Sequence, residues 1–251
     1  MHHDTGPWGE GDRFPLTRRS VVAAARDADP EVRRQAFDAL VASYWKPVYK
    51  YLRARWRSEP EDARDLTQGF FTQALEKATF ERYDPGKARF RTFLRTCLDG
   101  FAANERKAAR RLKRGGGAAL LSLDFAGAEE ELARQGAGED LDMEEYFHRE
   151  WVRSLFGLAV EELRRQCAAS GKEVHFALFE RYDLEGSDAP ERPTYAQLGR
   201  EFGLTPMTVT NWLAAMRREF RRIVLDLLRG LTGSEAEFQA EARQVLGIDP
   251  R

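Results

Sequence analysis

Apolar residues recur along this chain at spacings of three and four, and no stretch alternates strictly, so the pattern predicts helix after helix. An N-cap at Thr17 predicts a first helix running to about Ala28. Asp29-Pro30 then opens a long one, EVRRQAFDALVASYWKPVYKYLRARW. Its apolar set is Val32, Phe37, Leu40, Val41, Tyr44, Trp45, Val48, Tyr49 and Leu52. Pro47 inside it has no amide to donate and predicts a kink or a junction. Ser58 as a cap, Pro60 in the first turn, and Glu61 and Asp62 at the positive end predict a third helix. That helix carries Leu66, Phe70, Phe71, Ala74 and Leu75 inward. A fourth bears the stripe Phe90, Phe93, Leu94, Cys97, Phe101, Ala108 and Leu112, and Gly115-Gly116-Gly117 stops it.

Beyond the glycines the pattern thins. Residues 115–142 are rich in Gly, Ala and acids and read as a linker. Helical periodicity resumes near Met143. The last strongly patterned segment is TYAQLGREFGLTPMTVTNWLAAMRREFRRIVLDLL. Thr194 caps a short helix carrying Leu198 and Phe202, and Gly203 supplies a tight turn with positive φ. Thr205 caps the next helix, with Pro206 in its first turn, and Val209, Trp212, Leu213 and Met216 face inward. Gly199 is small where two helices must cross closely. This is the pattern of a helix-turn-helix. The fold class predicted is all-α: two helical domains joined by an acidic flexible linker, the C-terminal one containing the helix-turn-helix. The divisions are an arm at 1–16, a domain at 17–114, the linker at 115–142, a domain at 143–232 and a tail at 233–251.

Charge sharpens the picture. The formal net charge of −1 hides segregation: residues 87–114 hold ten Lys/Arg against Asp99 and Glu105, while 124–150 hold ten Asp/Glu against Arg134 and Arg149. A cationic working surface and an acidic linker follow. Two distant cysteines, Cys97 and Cys167, fit a reducing, cytoplasmic setting. The first residues lack the apolar core of a signal peptide, and no run spans a membrane. The four histidines do not pair with cysteines at metal-ligand spacing, and there is no phosphate-binding glycine loop. No catalytic constellation is legible, so the reading is not an enzyme, with no cofactor and no metal.

A basic helix with aromatics and no exposed apolar rim points to nucleic acid rather than to a membrane. Short polar side chains at the start of a second helix reach base edges, and arginines behind them hold phosphates. Thr208, Thr210, Asn211, Arg217 and Arg218 are the candidates there.

Four stretches carry a family resemblance. EDARDLTQGFFTQALEK resembles region 2.2 of bacterial RNA polymerase sigma factors of the extracytoplasmic-function type. FRTFLRTCLDGFAANERKAARRLKR resembles regions 2.3 and 2.4, GGGAALLSLD the glycine stop of the ECF-like subgroup, and TYAQLGREFGLTPMTVTNWLAAMRR region 4.2. The resemblance covers about 17–114 and 144–230. It implies docking on core RNA polymerase through Asp62, Asp65 and Gln68, with Leu66, Phe70 and Phe71 behind them. It implies promoter melting by Arg91, Arg95, Arg106, Lys107, Arg110 and Arg111. Phe80, Arg82, Tyr83 and Lys87 then lie where family members capture a flipped base, and region 4.2 reads the more distant promoter element. The acidic linker would thread towards the polymerase cleft. Departures are Asp99 and Gly100, where a basic or polar residue and Asn are common, and Gly69, where an acid is common. Thr67 beside Gly69 is a candidate phosphorylation site, which would restore charge to that face. The partners implied are core polymerase and promoter DNA, with an anti-sigma factor or a Ser/Thr kinase as further candidates and no membrane. The competing reading is a stand-alone helix-turn-helix transcriptional regulator.

Overall fold

The structure, a computed structural model, describes residues 20–109, 123–135, 142–185 and 192–248. Among these residues all regular structure is helical. Contacts divide the chain into two compact units. One takes the residues up to Ser154 together with those from Leu228 onward; the other runs from Leu155 to Leu227.

The first unit is built round α2, Pro30–Trp56. Asp29 caps it and Pro30 holds its first turn, as the Asp-Pro pair predicts. Among the described residues before it lies a short α1, Val21–Ala24, whose cap is Ser20, with the Oγ accepting from the Ala23 amide. Thr17 lies outside the described residues. Pro47 does not break α2. The carbonyl it leaves without a helical partner, that of Ser43, accepts from the Ser154 hydroxyl at 3.4 Å. α2 ends at Arg57, whose left-handed backbone (φ 47°) turns the chain straight into α3, Pro60–Glu76. Within that turn the Ser58 amide points back to Leu52, so Glu59 takes the cap position and Ser58 does not.

A 3₁₀ turn at Thr79–Arg82 leads to α4, Phe90–Ala109. Phe80, Tyr83 and Phe90 meet edge-on at 5.1–5.6 Å, and Phe37 stacks on Phe80 at 5.5 Å. Phe70 meets Phe101 at 5.8 Å, joining α3 to α4. Aromatic pairs in such geometries add to the burial of their area.

One segment corrects the sequence reading. Within the span read as a flexible linker, Phe125–Gln135 form a helix, α5. Phe125 is buried between Trp45 (5.4 Å) and Tyr49 (5.0 Å) of α2. The acids of α5 pair with a basic edge of α2: Glu131 with Lys46 and Lys50 at 2.8 and 2.6 Å, and Glu129 with Arg53 at 2.7 Å. Opposite charges plus one buried ring fix a segment that composition alone marks as loose. The rest of the linker, 115–122 and 136–141, lies outside the described residues. The tail carries α10, Glu235–Leu246, capped by Ser234, with Phe238 and Ala242 buried.

The first turns of α6, Met143–Ala169, complete this unit. Trp151 stacks on Tyr44 at 6.3 Å, and Phe147 meets Tyr51 at 5.5 Å. Lys50, 1% exposed, sits between Glu131 and the fully buried Glu150. It therefore ties α2, α5 and α6 in one charge network.

In the second unit the remainder of α6 packs with α7, Glu173–Phe179, α8, Tyr195–Phe202, and α9, Pro206–Gly230. Phe220 contacts Phe156 and Phe179, each at 5.7 Å. The buried Cys167 thiol lies 3.7 Å from the Met216 sulfur.

Candidate nucleic-acid interface

α3 presents two faces. Phe70, Phe71 and Ala74 are buried, while Asp62 and Asp65 are exposed and Leu66 and Gln68 half-buried. Phe71 thus supports the outer face from inside and touches no partner. Leu75, placed inward by periodicity, is 46% exposed and extends the outer face. It borders a surface cavity of about 280 Å³ lined also by Arg33, Phe37, Phe80 and Glu81. Thr67 is wholly buried, with its hydroxyl donating to the Ala63 carbonyl at 2.7 Å. This burial counts against Thr67 as a phosphorylation site, since its hydroxyl is not at the surface of the folded protein. Gly69 faces α4: a Cβ there would lie 3.3 Å from the Phe101 ring, so an acid at this position would crowd the helix contact.

The loop before α4 departs furthest from its sequence reading. Phe80 and Tyr83 are 3% and 2% exposed and belong to the aromatic core. The Tyr83 hydroxyl lies 3.0 Å from the Ala88 carbonyl and 2.9 Å from Glu237 Oε2. Burial, then that carboxylate, raises its pKa and keeps it a neutral phenol. Neither ring is available to a base. Their exposed neighbours, Arg82 and Lys87, are. An aromatic in a loop has the same letter whether it covers a core or waits for a ligand, and only the partner helices distinguish the two.

The cations of α4 fall into two sets. Arg91 is buried, pairs with Glu241 at 2.8 Å and lies over the Trp151 ring. With α10 in place it is held by the fold and is not free for DNA. Arg95 is half-buried and reaches Glu144 at 3.1 Å. Arg106 and Lys107 are exposed, with the Arg106 guanidinium 4.9 Å above the Trp56 ring and bonded to the Trp56 carbonyl. Arg110 and Arg111 lie outside the described residues. Asp99 does not stand as an unmatched anion: it accepts from the Tyr51 hydroxyl at 3.1 Å and from Trp56 Nε1 at 3.2 Å. Sequence reasoning counted Arg89 in the cationic block but gave it no role, and it missed Trp56 and the acids of α10 that join this surface. The last had a signal, since Glu237, Glu241 and Gln244 stand at i, i+4 and i+7 on one helix face.

In the second unit, Thr194 and Gln197 form a reciprocal cap on α8. Gly203 adopts φ +69°. A Cβ on Gly199 would lie 2.6 Å from the Leu204 carbonyl oxygen, so only glycine admits this turn. Thr205 Oγ1 accepts from the Thr208 amide at 3.1 Å and starts α9. Val209, Leu213 and Met216 are buried, and Trp212 carries His175 stacked at 3.6 Å. Thr210, Asn211 and Arg218 are exposed, and Thr208 is half-buried with its hydroxyl 2.9 Å from that of Thr205. Arg217 is held by both oxygens of Asp183 at 2.9 Å, which raises its pKa further. Met207 is the most exposed apolar side chain here, at 70%.

Among the described residues no cluster of His, Cys, Asp and Glu has the arrangement of a metal site, and no helix is long and apolar enough to cross a membrane. Burial raises the pKa of the half-buried Cys97 thiol, which leaves it a poor nucleophile.

Residues 40–112 match the family model described as Sigma-70 region 2. The match begins within α2 and runs through α3 and α4, the helices that carry the outer acidic face and the cationic surface. No curated protein and no solved structure matches the chain. The chain therefore contains a Sigma-70 region 2 domain at residues 40–112, which supports a role in promoter recognition and transcription initiation.

Proposed function

We propose that the chain is an ECF-like sigma factor that docks on core RNA polymerase through the outer face of α3. The loop before α4, with Arg82 and Lys87, and the far end of α4, with Arg106 and Lys107, engage the promoter strand backbone as the duplex opens. Thr208, Thr210, Asn211 and Arg218 at the start of α9 meet the more distant promoter element in the major groove. Arg217 acts through Asp183, as a brace for this helix rather than as a base contact.

The observation that carries the reading is the two-sidedness of α3 inside a region 2 domain. Its aromatics are consumed by the core, while Asp62, Asp65 and the rim of Leu75 stay on the surface. Exposed acids on a rigid, well-anchored helix suit a basic partner surface, and of the two only Asp62, in the first turn of α3, also serves the helix dipole.

The test is capture of purified bacterial core RNA polymerase by the full chain. Wild type binds, and Asp62→Arg/Asp65→Arg lowers the affinity by about tenfold or more, because two like-charge contacts replace two attractive ones. Equal capture by both proteins refutes docking through α3. A conventional regulator would instead bind duplex DNA without polymerase and would not respond to these two substitutions.

A further inference from the structure

α10 lies across the start of α4, and both belong to the first unit. Three of its polar side chains, Glu237, Glu241 and Gln244, engage residues there. Glu237 Oε1 accepts from the Phe90 amide at 2.6 Å, and its Oε2 accepts from the Tyr83 hydroxyl at 2.9 Å and the Gly233 amide at 2.7 Å. Glu241 Oε1 takes Arg91 Nε at 2.8 Å and lies 3.5 Å from Arg89 Nη1. Gln244 Oε1 accepts from Arg89 at 2.5 Å and Arg91 at 3.0 Å.

An amide at a helix start and two adjacent guanidiniums are the groups that hold a phosphate. Here two carboxylates and an amide oxygen hold them instead. The fit is incomplete in one respect: Glu241 is 1% exposed, yet its Oε2 has no hydrogen-bond partner. A buried carboxylate oxygen left unsatisfied weakens the docking of the helix that carries it. The arrangement has the strength to persist and a built-in reason to yield to a better anion.

We infer that α10 is an intramolecular stand-in for the nucleic-acid backbone. Docked, it covers the first turn of α4 and sequesters Arg89 and Arg91. Displaced, it delivers both to a DNA strand, next to the exposed Arg82 and Lys87. The inference rests on the reading of this surface as the strand-contacting one, and Arg82 and Lys87 report on that reading separately because α10 makes no hydrogen bond or ion pair with them.

The experiment is fluorescence anisotropy of labelled single-stranded DNA of mixed sequence with the full-length chain. Phe238→Ala loosens α10 without changing charge, since the ring is 2% exposed beneath the Arg229 guanidinium at 4.0 Å. Glu237→Gln/Glu241→Gln loosens it by another route. If α10 is docked in about nine molecules of ten, freeing it raises apparent affinity about tenfold. Both variants show that gain, with faster amide exchange over residues 235–246. A gain in the Gln variant alone reflects charge and overturns the inference, as does faster exchange in Phe238→Ala with affinity unchanged. Wild-type protein gives a reading that needs no substitution in α10. Saturating DNA accelerates exchange over 235–246; unchanged or slower exchange refutes displacement. Arg82→Ala/Lys87→Ala binding as tightly as wild type removes the surface reading and the inference with it. Weaker binding by that variant beside an unresponsive α10 removes the inference alone.

Discussion

His148 holds a neutral imidazole beside two guanidiniums. Burial first, then Arg91 and Arg89, pull its pKa from the ordinary 6.5 down to about 4, and its Nδ1 is buried without a partner. Between those two pH values the unfolded chain binds a proton that the folded chain refuses. Stability is therefore whole above about pH 6.5 and declines as pH falls towards 4. His175, also lowered, adds a slope of the same sign, so the comparison that isolates His148 is the difference from His148→Gln. Urea midpoints from pH 7 to 4 fall less steeply in the variant; parallel curves refute the assignment. Two glycines make the opposite kind of test. Gly100 is exposed within α4, and a Cβ there meets nothing, so Gly100→Ala raises stability by about 0.5–1 kcal/mol. Gly199→Ala puts a methyl against the Leu204 carbonyl and lowers it by about 1–3 kcal/mol. Thermal midpoints of the two variants move in opposite directions. At this scale glycines and caps were legible from sequence, because Gly203, Thr194 and Thr205 act on neighbours a few residues away. Tyr83, Arg91 and Thr67 were not, because their partners or their burial come from segments distant in sequence.

Helices proved easier to read than the connections between them. The starts of α2, α8 and α9 follow from an Asp-Pro pair and two capping threonines, all local signals. Pro47 misleads because the remedy for its missing hydrogen bond is Ser154, on another helix. α5 misleads for a different reason. Its sequence, FAGAEEELARQ, has too few apolar residues to hold a helix alone, and its acids suggest solvation. What fixes it is the complementary edge of Lys46, Lys50 and Arg53 on α2, together with a slot for Phe125 between two aromatic rings. Phe125→Ala removes the only large apolar anchor that enters this slot. The loss approaches the ~3–5 kcal/mol of a buried ring, and it falls on α5. Amide exchange over 125–135 accelerates by at least about tenfold while the centre of α2 keeps its protection. Equal acceleration in both would mean that α5 is an integral part of the core and not a docked helix.

For the whole molecule, the all-α class and the region 2 domain were legible because both rest on patterns continuous in sequence. The composition of the first unit was not. It draws on α1 to α5, the first turns of α6 and the segment from Leu228 onward. A chain cut at residue 114, where glycine punctuation suggests a boundary, loses α5, Glu150, Trp151 and α10 together. Lys50 would then lose both carboxylates together with the helices that bury it, and Tyr44, Tyr49 and Tyr51 would lose the rings packed against them. Such a fragment is expected to melt without a cooperative transition by circular dichroism, whereas a chain of residues 20–248 melts cooperatively. A sharp transition in the short fragment would show that region 2 folds alone.

The Ser20 hydroxyl, near the first described residue, bonds the carbonyls of Gly230 and Thr232. A contact across more than two hundred residues has a consequence for synthesis. While the ribosome is still translating the second unit, the first has neither its closing segment nor the cover over the start of α4. On a nascent chain, Arg89 and Arg91 therefore emerge before the α10 side chains that pair with them. On the inference drawn above, a message truncated shortly before codon 235 yields a chain in which the cationic start of α4 is never covered.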